Sequence, residues 1–382
     1  MQPKDYGFGE DERILRDSAR RFLDEVASID KVRKLVAADH GEAYESATPP
    51  ARYDGQVWQK MVDLGWTALA VPESAGGVAM KCVAVAALAE EIGRRALPSP
   101  LLSTLFSTFV LREAEAAAAR PWLEKIVGGA GAALAITNEE GSWEPARTGL
   151  RAQAKGDQIV LDGTAHFVQD ARKASFFVVS AASDGGVALY AVAAEHPGVT
   201  IHPDHIVDLT RDQARVAFDR VSIPAAAQIA PGETGVAVLR SALPAMLTVL
   251  AADMTGAAEW QLQTTTAYAK VRHQFDHPLG FFQAVKHPIV NMMVAIDETR
   301  SLVYNAACAI DGEPELALRY ARMAKSSASD TAAFCSGRSV QLHGGIGFTW
   351  ECDVQIYFKR QRHSQMLLGD GVYQREKLAE LL

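Results

Sequence analysis

The chain has 382 residues, 48% of them hydrophobic and 22% charged, with a formal net charge of −8 and a pI near 5.7. That length supports two or three domains around a substantial core. The acidic balance argues against nucleic acid or an anionic membrane as partner, while leaving room for a local basic patch that binds an anionic ligand.

Four scattered cysteines, Cys82, Cys308, Cys335 and Cys352, form no Cys-x-x-Cys pair. No metal site or redox motif is expected, and the pattern fits free thiols in a reducing cytoplasm. The N-terminus is charged and lacks an apolar signal core. The longest apolar stretch, around residues 242–252, is too short to span a bilayer. Ile14, Ala19, Phe22, Leu23 and Val26 fall near helical spacing among Arg, Asp and Glu. Residues 83–92 predict another apolar helix, closed by Gly93 and a Pro98-Ser99-Pro100 turn. Between these, Leu64-Gly65-Trp66 and Val71-Pro72-Glu73 mark a helix end and a loop. The alanine-rich run 113–120 reads as exposed helix.

The texture changes near Ala132. Short β-rich runs at 133–137, 158–161, 176–179, 187–192 and 215–218, separated by Gly, Asp and Ser, predict an antiparallel barrel or sandwich of about a hundred residues. From about Gly235 helices return, over 235–271, 282–311 and 315–342, with Asp311-Gly312-Glu313-Pro314 as a turn. Helices, strands and helices in segregated blocks are an α+β pattern. The expected division is an N-terminal helical domain (1–130), a middle antiparallel β-barrel or sandwich domain (131–230) and a C-terminal helical bundle (231–382).

Two segments carry chemistry. Gln341-Leu342-His343-Gly344-Gly345-Ile346-Gly347 has three glycines in four residues between helical stretches. Such a backbone can approach a ligand closely and present N–H groups to an anion. About seventy residues upstream, the run from Arg272 to Gln283 holds an arginine, aromatic rings and amides. Together they suggest a site for a bulky, flat, pyrophosphate-bearing cofactor. Plainer readings stand beside this one. Arg272 could complement a helix dipole, Phe275 and Leu279 could be core, and the glycines could end a helix. The glycines follow a helix rather than a strand, so this is not a Rossmann fingerprint. His343 reads as packing rather than as a base.

These two segments, the Leu64-Gly65-Trp66 and Pro72-Glu73 pair, and the run from Phe282 to His287 leading into Asn291-Met292 resemble the acyl-CoA dehydrogenase family over essentially the whole chain. The resemblance implies a C-terminal four-helix bundle and FAD bound between subunits of a tetramer. It implies loss of two hydrogens from the α and β carbons of an acyl-CoA thioester, with a carboxylate taking the α proton and electron-transfer flavoprotein as acceptor. By that resemblance Arg272 contacts the FAD pyrophosphate, whose charge suits a guanidinium fork. Gln274, Phe275, Leu279 and Gln283 line the adenosine end, and Gln341, Gly344 and Gly345 hold it from the other side. Thr137 is kept from the family's first strand.

The chain departs from the family where the chemistry lies. Aligned on the motifs, the two alternative positions of the catalytic glutamate hold Met246 and Leu368, and Leu247 falls where many members have an arginine. Phe167-Val168-Gln169 stands where a Trp-Ile-Thr triplet meets the flavin. After Thr137 the run Asn138 to Trp143 lacks the expected proline and Gly-Ser-Asp, and Glu139, Glu140 and Glu144 either oppose a phosphate-rich ligand or point to solvent. Three readings follow. The first is the base-less partner subunit of a heterotetrameric acyl-CoA dehydrogenase, for a bulky or steroid-derived thioester. The second is a self-sufficient homotetramer using Asp253 or Asp370 as base, with Glu351 a further carboxylate near FAD or at a helix start. The third is a non-catalytic scaffold. A cytoplasmic location and no metal are expected for all three.

Overall fold

The computed structural model describes residues 6–37 and 50–381. Helices α1 (Glu10–Val26), α2 (Ile29–Ala37), α3 (Gly55–Asp63), α4 (Cys82–Arg94), α5 (Leu101–Glu113) and α6 (Ala116–Val127) form the first block. Their starts follow from local chemistry. The Asp54 carboxylate caps α3 by accepting from the N–H groups of Gln56 and Val57. Glu12 reaches back to the Gly9 N–H at the head of α1. Helix α4 is apolar on nearly every face because it is buried on nearly every face, against α1 and the bundle.

Eight strands follow, β1 (Ala132–Ala135), β2 (Leu150–Lys155), β3 (Gln158–Gln169), β4 (Phe176–Ser183), β5 (Gly186–Ala193), β6 (Val199–Pro203), β7 (Gln213–Pro224) and β8 (Gln228–Ala230). The sheet order is β6-β7-β3-β2-β4-β5-β8. The β domain expected from sequence is present as one eight-stranded sheet, with two departures from an all-antiparallel pattern. Strand β1 runs parallel to β4, from Ala132 opposite Phe176 to Ala135 opposite Val179, and β2 touches β4 in parallel at Arg151. Strand β4 is buried on both faces. Phe176 and Val178 join the helical core, while Phe177 and Val179 join the core of the sheet. A strand covered on both sides reads as a continuous apolar run, which is why its sequence does not alternate.

The last block is a bundle of α7 (Gly235–Val271), α8 (Gln283–Gly312), α9 (Pro314–His343), α10 (Val354–Met366) and α11 (Gly371–Ala379), with a short hairpin β9 (His273–Gln274) and β10 (His277–Pro278) between α7 and α8. Helix α7 is long and apolar enough to cross a membrane by length and composition, which the sequence reading of residues 242–252 did not anticipate. However, 72% of its apolar window is buried inside the chain, as a core helix requires. It crosses α4 backbone to backbone. A Cβ on Gly93 would run into the Asp253 carbonyl, and one on Gly256 into the Glu90 carbonyl. Of the cysteines, all four are free.

Candidate functional site

The two motif segments meet at the ends of α7 and α9. The Tyr268 ring stacks on the His343 ring at 4.3 Å, and its hydroxyl donates to the His343 carbonyl at 3.5 Å. His343 is buried, with Nδ1 2.7 Å from the Ser339 carbonyl, and burial pushes its pKa down. It is a packing residue, as its sequence context suggested. One turn past Tyr268, Arg272 ends α7, and its carbonyl accepts from the Leu279 N–H at 2.8 Å, closing the hairpin. Phe275 and Asp276 occupy the hairpin turn, both with positive φ (51° and 62°). Two such residues make a type I′ turn, which glycine and asparagine fill most easily. A phenylalanine there is strained, and its ring is 83% exposed.

The side chains aligned with FAD binding share this exposure. Arg272, Gln274, Gln283 and Gln341 all lie at the surface, and Leu279 is half-buried. Gly344 has φ +67° and ψ −147°, a conformation suited to glycine alone. Gly345 has no positive φ, and a Cβ on it would meet nothing within 4 Å. Packing within the chain therefore does not explain that glycine. A cationic fork, three amides, an exposed ring and an open glycine cradle fit the diphosphate and adenosine of FAD.

The flavin-ring side is different. Thr137 is buried, pairs with His166 through an isolated β-bridge, and lines two tight cavities of about 30 and 20 Å³. Spaces of that size hold a water or two, and the larger open space on this side, about 250 Å³, is bounded by Gly141, Phe167, Gln213 and His363 instead. Gln169, at the threonine position of the triplet, has its amide engaged on all sides. It donates to the Phe167 carbonyl at 3.1 Å and to Gln213 Oε1 at 2.8 Å, and its Oε1 lies 2.8 Å from His363 Nε2. Burial holds the His363 pKa down at about 4, so the imidazole is neutral near pH 7.

Met246 from α7 and Leu368 from the loop after α10 line the same cavity, although 122 residues separate them. Leu368 has φ +56° and is 6% exposed. Behind it, the buried Lys325 Nζ donates to Ser329 Oγ and to the carbonyls of Gln365 and Gly369 at 2.8–3.0 Å, which fixes the loop. Burial lowers the Lys325 pKa to about 7. Among the described residues, the one carboxylate lining the two tight cavities is Glu144. It accepts from Tyr373 Oη and Lys377 Nζ, each at 2.8 Å, and the bond from Lys377 holds its pKa below the usual carboxylate range. Sequence reasoning treated Glu144 with Glu139 and Glu140 as loop charge. The latter two are exposed, whereas Glu144 is not free.

Neither carboxylate singled out from the sequence lines these cavities. Asp253 is 1% exposed and accepts from Arg211 Nη2 and Arg360 Nη2, each at 2.6 Å. Asp370 caps α11, accepting from the Tyr373 N–H at 2.9 Å. Glu351 is exposed beside the glycine turn. Among the described residues, no cluster of three or more potential metal ligands occurs.

Residues 9–130 match the N-terminal domain family of the acyl-CoA dehydrogenases and residues 233–382 match the C-terminal domain family. The acyl-CoA dehydrogenase IpdE2 of Mycobacterium tuberculosis is 31% identical over 360 residues, covering 94% of this chain and 93% of that protein. A Tcur3481-Tcur3483 steroid acyl-CoA dehydrogenase structure superposes with a TM-score of 0.85 at 28% identity, covering 98% of each chain. The ChsE4-ChsE5 complex from Mycobacterium tuberculosis has the same fold, with a TM-score of 0.86 at 24% identity over 98% of each chain.

Proposed function

The chain belongs to the acyl-CoA dehydrogenase family, FAD-dependent oxidoreductases acting on CH–CH bonds, and on that premise we propose that it is the base-less subunit of a mixed assembly. In this reading it completes the FAD site of a catalytic partner chain and carries no α-proton base of its own. The observation that carries the reading is the pairing of Met246 with Leu368. The two places where the family keeps its glutamate converge on one cavity, and both are apolar. A base must hold a free lone pair within reach of the substrate proton. Asp253 is locked between two arginines and Asp370 caps a helix, so both serve structure.

Arg272, Gln274, Phe275, Leu279, Gln283, Gln341, Gly344 and Gly345 face outward to hold the ADP half of the FAD across a subunit contact. The exposure of all of them but Leu279 supports this, as does a strained turn that leaves Phe275 83% exposed. Thr137 keeps its family position but lines the two tight cavities. Bound FAD supplies the electron acceptor of the dehydrogenation, and this chain's part is to hold its diphosphate end. The substrate is an acyl-CoA thioester. A bulky, steroid-derived acyl group is favoured by the 28% identity with a steroid acyl-CoA dehydrogenase whose name pairs two gene products. Electron-transfer flavoprotein is the proposed acceptor and the cytoplasm the proposed location. The proposed domains are 1–130, 131–230 and 231–382.

A second reading keeps the chain self-sufficient; with Asp253 and Asp370 tied into structure, its base would be Glu144, the carboxylate at the cavity, once released from Tyr373 and Lys377. The test is co-expression with a family member that retains its glutamate, followed by flavin quantitation. Arg272→Ala should weaken flavin retention about ten-fold or more, since a charge-assisted hydrogen bond is worth roughly 1.5–3 kcal/mol. Unchanged occupancy would reject the assignment. Turnover by the isolated chain that is lost in Glu144→Gln would establish the second reading instead.

A further inference from the structure

The loop between β1 and β2 places one indole where four spaces meet. Trp143 lines the two tight apolar cavities that contain Thr137 and Leu368, and also two larger open ones. One of these, about 250 Å³, is bounded by Phe167, His363 and Met366. The other, about 290 Å³, is edged by Arg240, by Arg322 and by Lys377, the last of which is paired with Glu144 and Glu380 on the same rim. A single side chain that walls all four stands at their junction. Without it, the apolar pockets at Met246 and Leu368 open toward a basic mouth. Arg322 sits there largely buried, with Nη1 on Gln374 and no partner for Nε. An apolar interior behind a cationic rim is the shape of a site for an acyl group on an anionic carrier.

The loop is built to keep the indole in place. The Gly141 N–H donates to the Asn138 carbonyl at 3.1 Å and the Ser142 N–H to Asn138 Oδ1 at 3.1 Å. Glu144, the next residue, is tied to Tyr373 and Lys377 on α11. On the other side Phe167, held at φ +56°, lays its ring on Gly141, where a Cβ would come within 3.3 Å of it.

We propose that Trp143 is a built-in plug, which fills this chain's own acyl chamber and so keeps acyl thioesters for the partner subunit, with Glu144 as its latch. This rests on the reading of the chain as a base-less subunit and goes beyond it. Loss of the base stops chemistry here, whereas the plug stops binding. The plug is tested on the full chain by titrating octanoyl-CoA in a calorimeter. The wild type should show no saturable binding. Trp143→Ala should bind octanoyl-CoA at least ten-fold more tightly than the wild type and more tightly than it binds free CoA. Trp143→Phe should gain less. Tyr373→Phe, which loosens the latch at the surface, should give a smaller gain and provides the readout if the alanine variant does not fold. Equal binding by wild type and a folded Trp143→Ala, whether both tight or both absent, would overturn the plug. Saturable binding without turnover by the wild type would overturn the plug alone, whereas dehydrogenation of octanoyl-CoA by the isolated wild-type chain would overturn the base-less reading as well, so the two failures are distinct.

Discussion

Replacing Asp253 by asparagine separates a structural carboxylate from a catalytic one. The side chain is 1% exposed and bonded to two guanidinium groups at 2.6 Å, from Arg211 in the β-domain and Arg360 on α10. Arg360 also donates to Thr210 Oγ1, which in turn donates to Asp208. Two arginines thus face two aspartates, and the substitution leaves one buried positive charge uncompensated. Breaking a buried pair by removing one partner costs about 3–5 kcal/mol. One kcal/mol shifts the melting midpoint by roughly 2–4 °C in domains of 150–250 residues. Asp253→Asn should therefore lower the apparent midpoint by roughly 6 °C or more in a scanning fluorimetry assay. Activity of the partnered assembly, measured well below that midpoint, should stay near wild type. An unchanged midpoint with abolished turnover would refute this reasoning and restore Asp253 as a base.

Gly345→Leu should leave the melting midpoint almost unchanged, because its Cβ meets open space, and substitutions at such surface sites stay within about ±0.5 kcal/mol. The same variant should lower the flavin content of the co-purified assembly, read by absorbance after release, and a full complement of flavin would show that no ligand approaches this turn. His363 gives a pH signature. Its folded pKa, near 4, lies below the ordinary histidine value. The unfolded chain therefore binds more protons between about pH 6.5 and 4, and stability should fall as pH drops through that window. His363→Gln should flatten this part of the midpoint-versus-pH curve, and parallel curves for the two proteins would contradict the assignment.

Much of the architecture was legible because it is written in local periodicity. The helix Gly235–Val271 and the helix Pro314–His343 follow apolar spacing and punctuation by glycine and proline, signals that neighbours cannot erase. The convergence of Met246 and Leu368 was legible only through the family resemblance, since nothing in their own spacing joins a helix to a loop 122 residues away. Asp253 shows the limit most clearly. It lies on the same helix face as Met246, about 10 Å along the axis, and from sequence looked available as a base. Its partners arrive from 42 residues upstream and 107 downstream, and such ion pairs have no sequence signature. Trp143 escaped for a related reason. Its loop was read for its charges, whereas its weight lies in where the fold aims one neutral ring. The parallel pairing of β1 with β4 likewise depends on the path of the chain between them, not on the residues in either strand.

The contact between Gly93 and Gly256, where α4 and α7 touch through their backbones, sets how this protein can move. Most helix pairs are separated by a layer of side chains that can change rotamer and let one helix slide over the other by an ångström or two. Here that lubricating layer is missing over the middle of the crossing. Sliding α4 over α7 at this point would have to break backbone packing rather than shift rotamers. A side chain at either glycine would push the two helices apart. Hydrogen exchange should find the amides around this crossing among the most protected of the described residues.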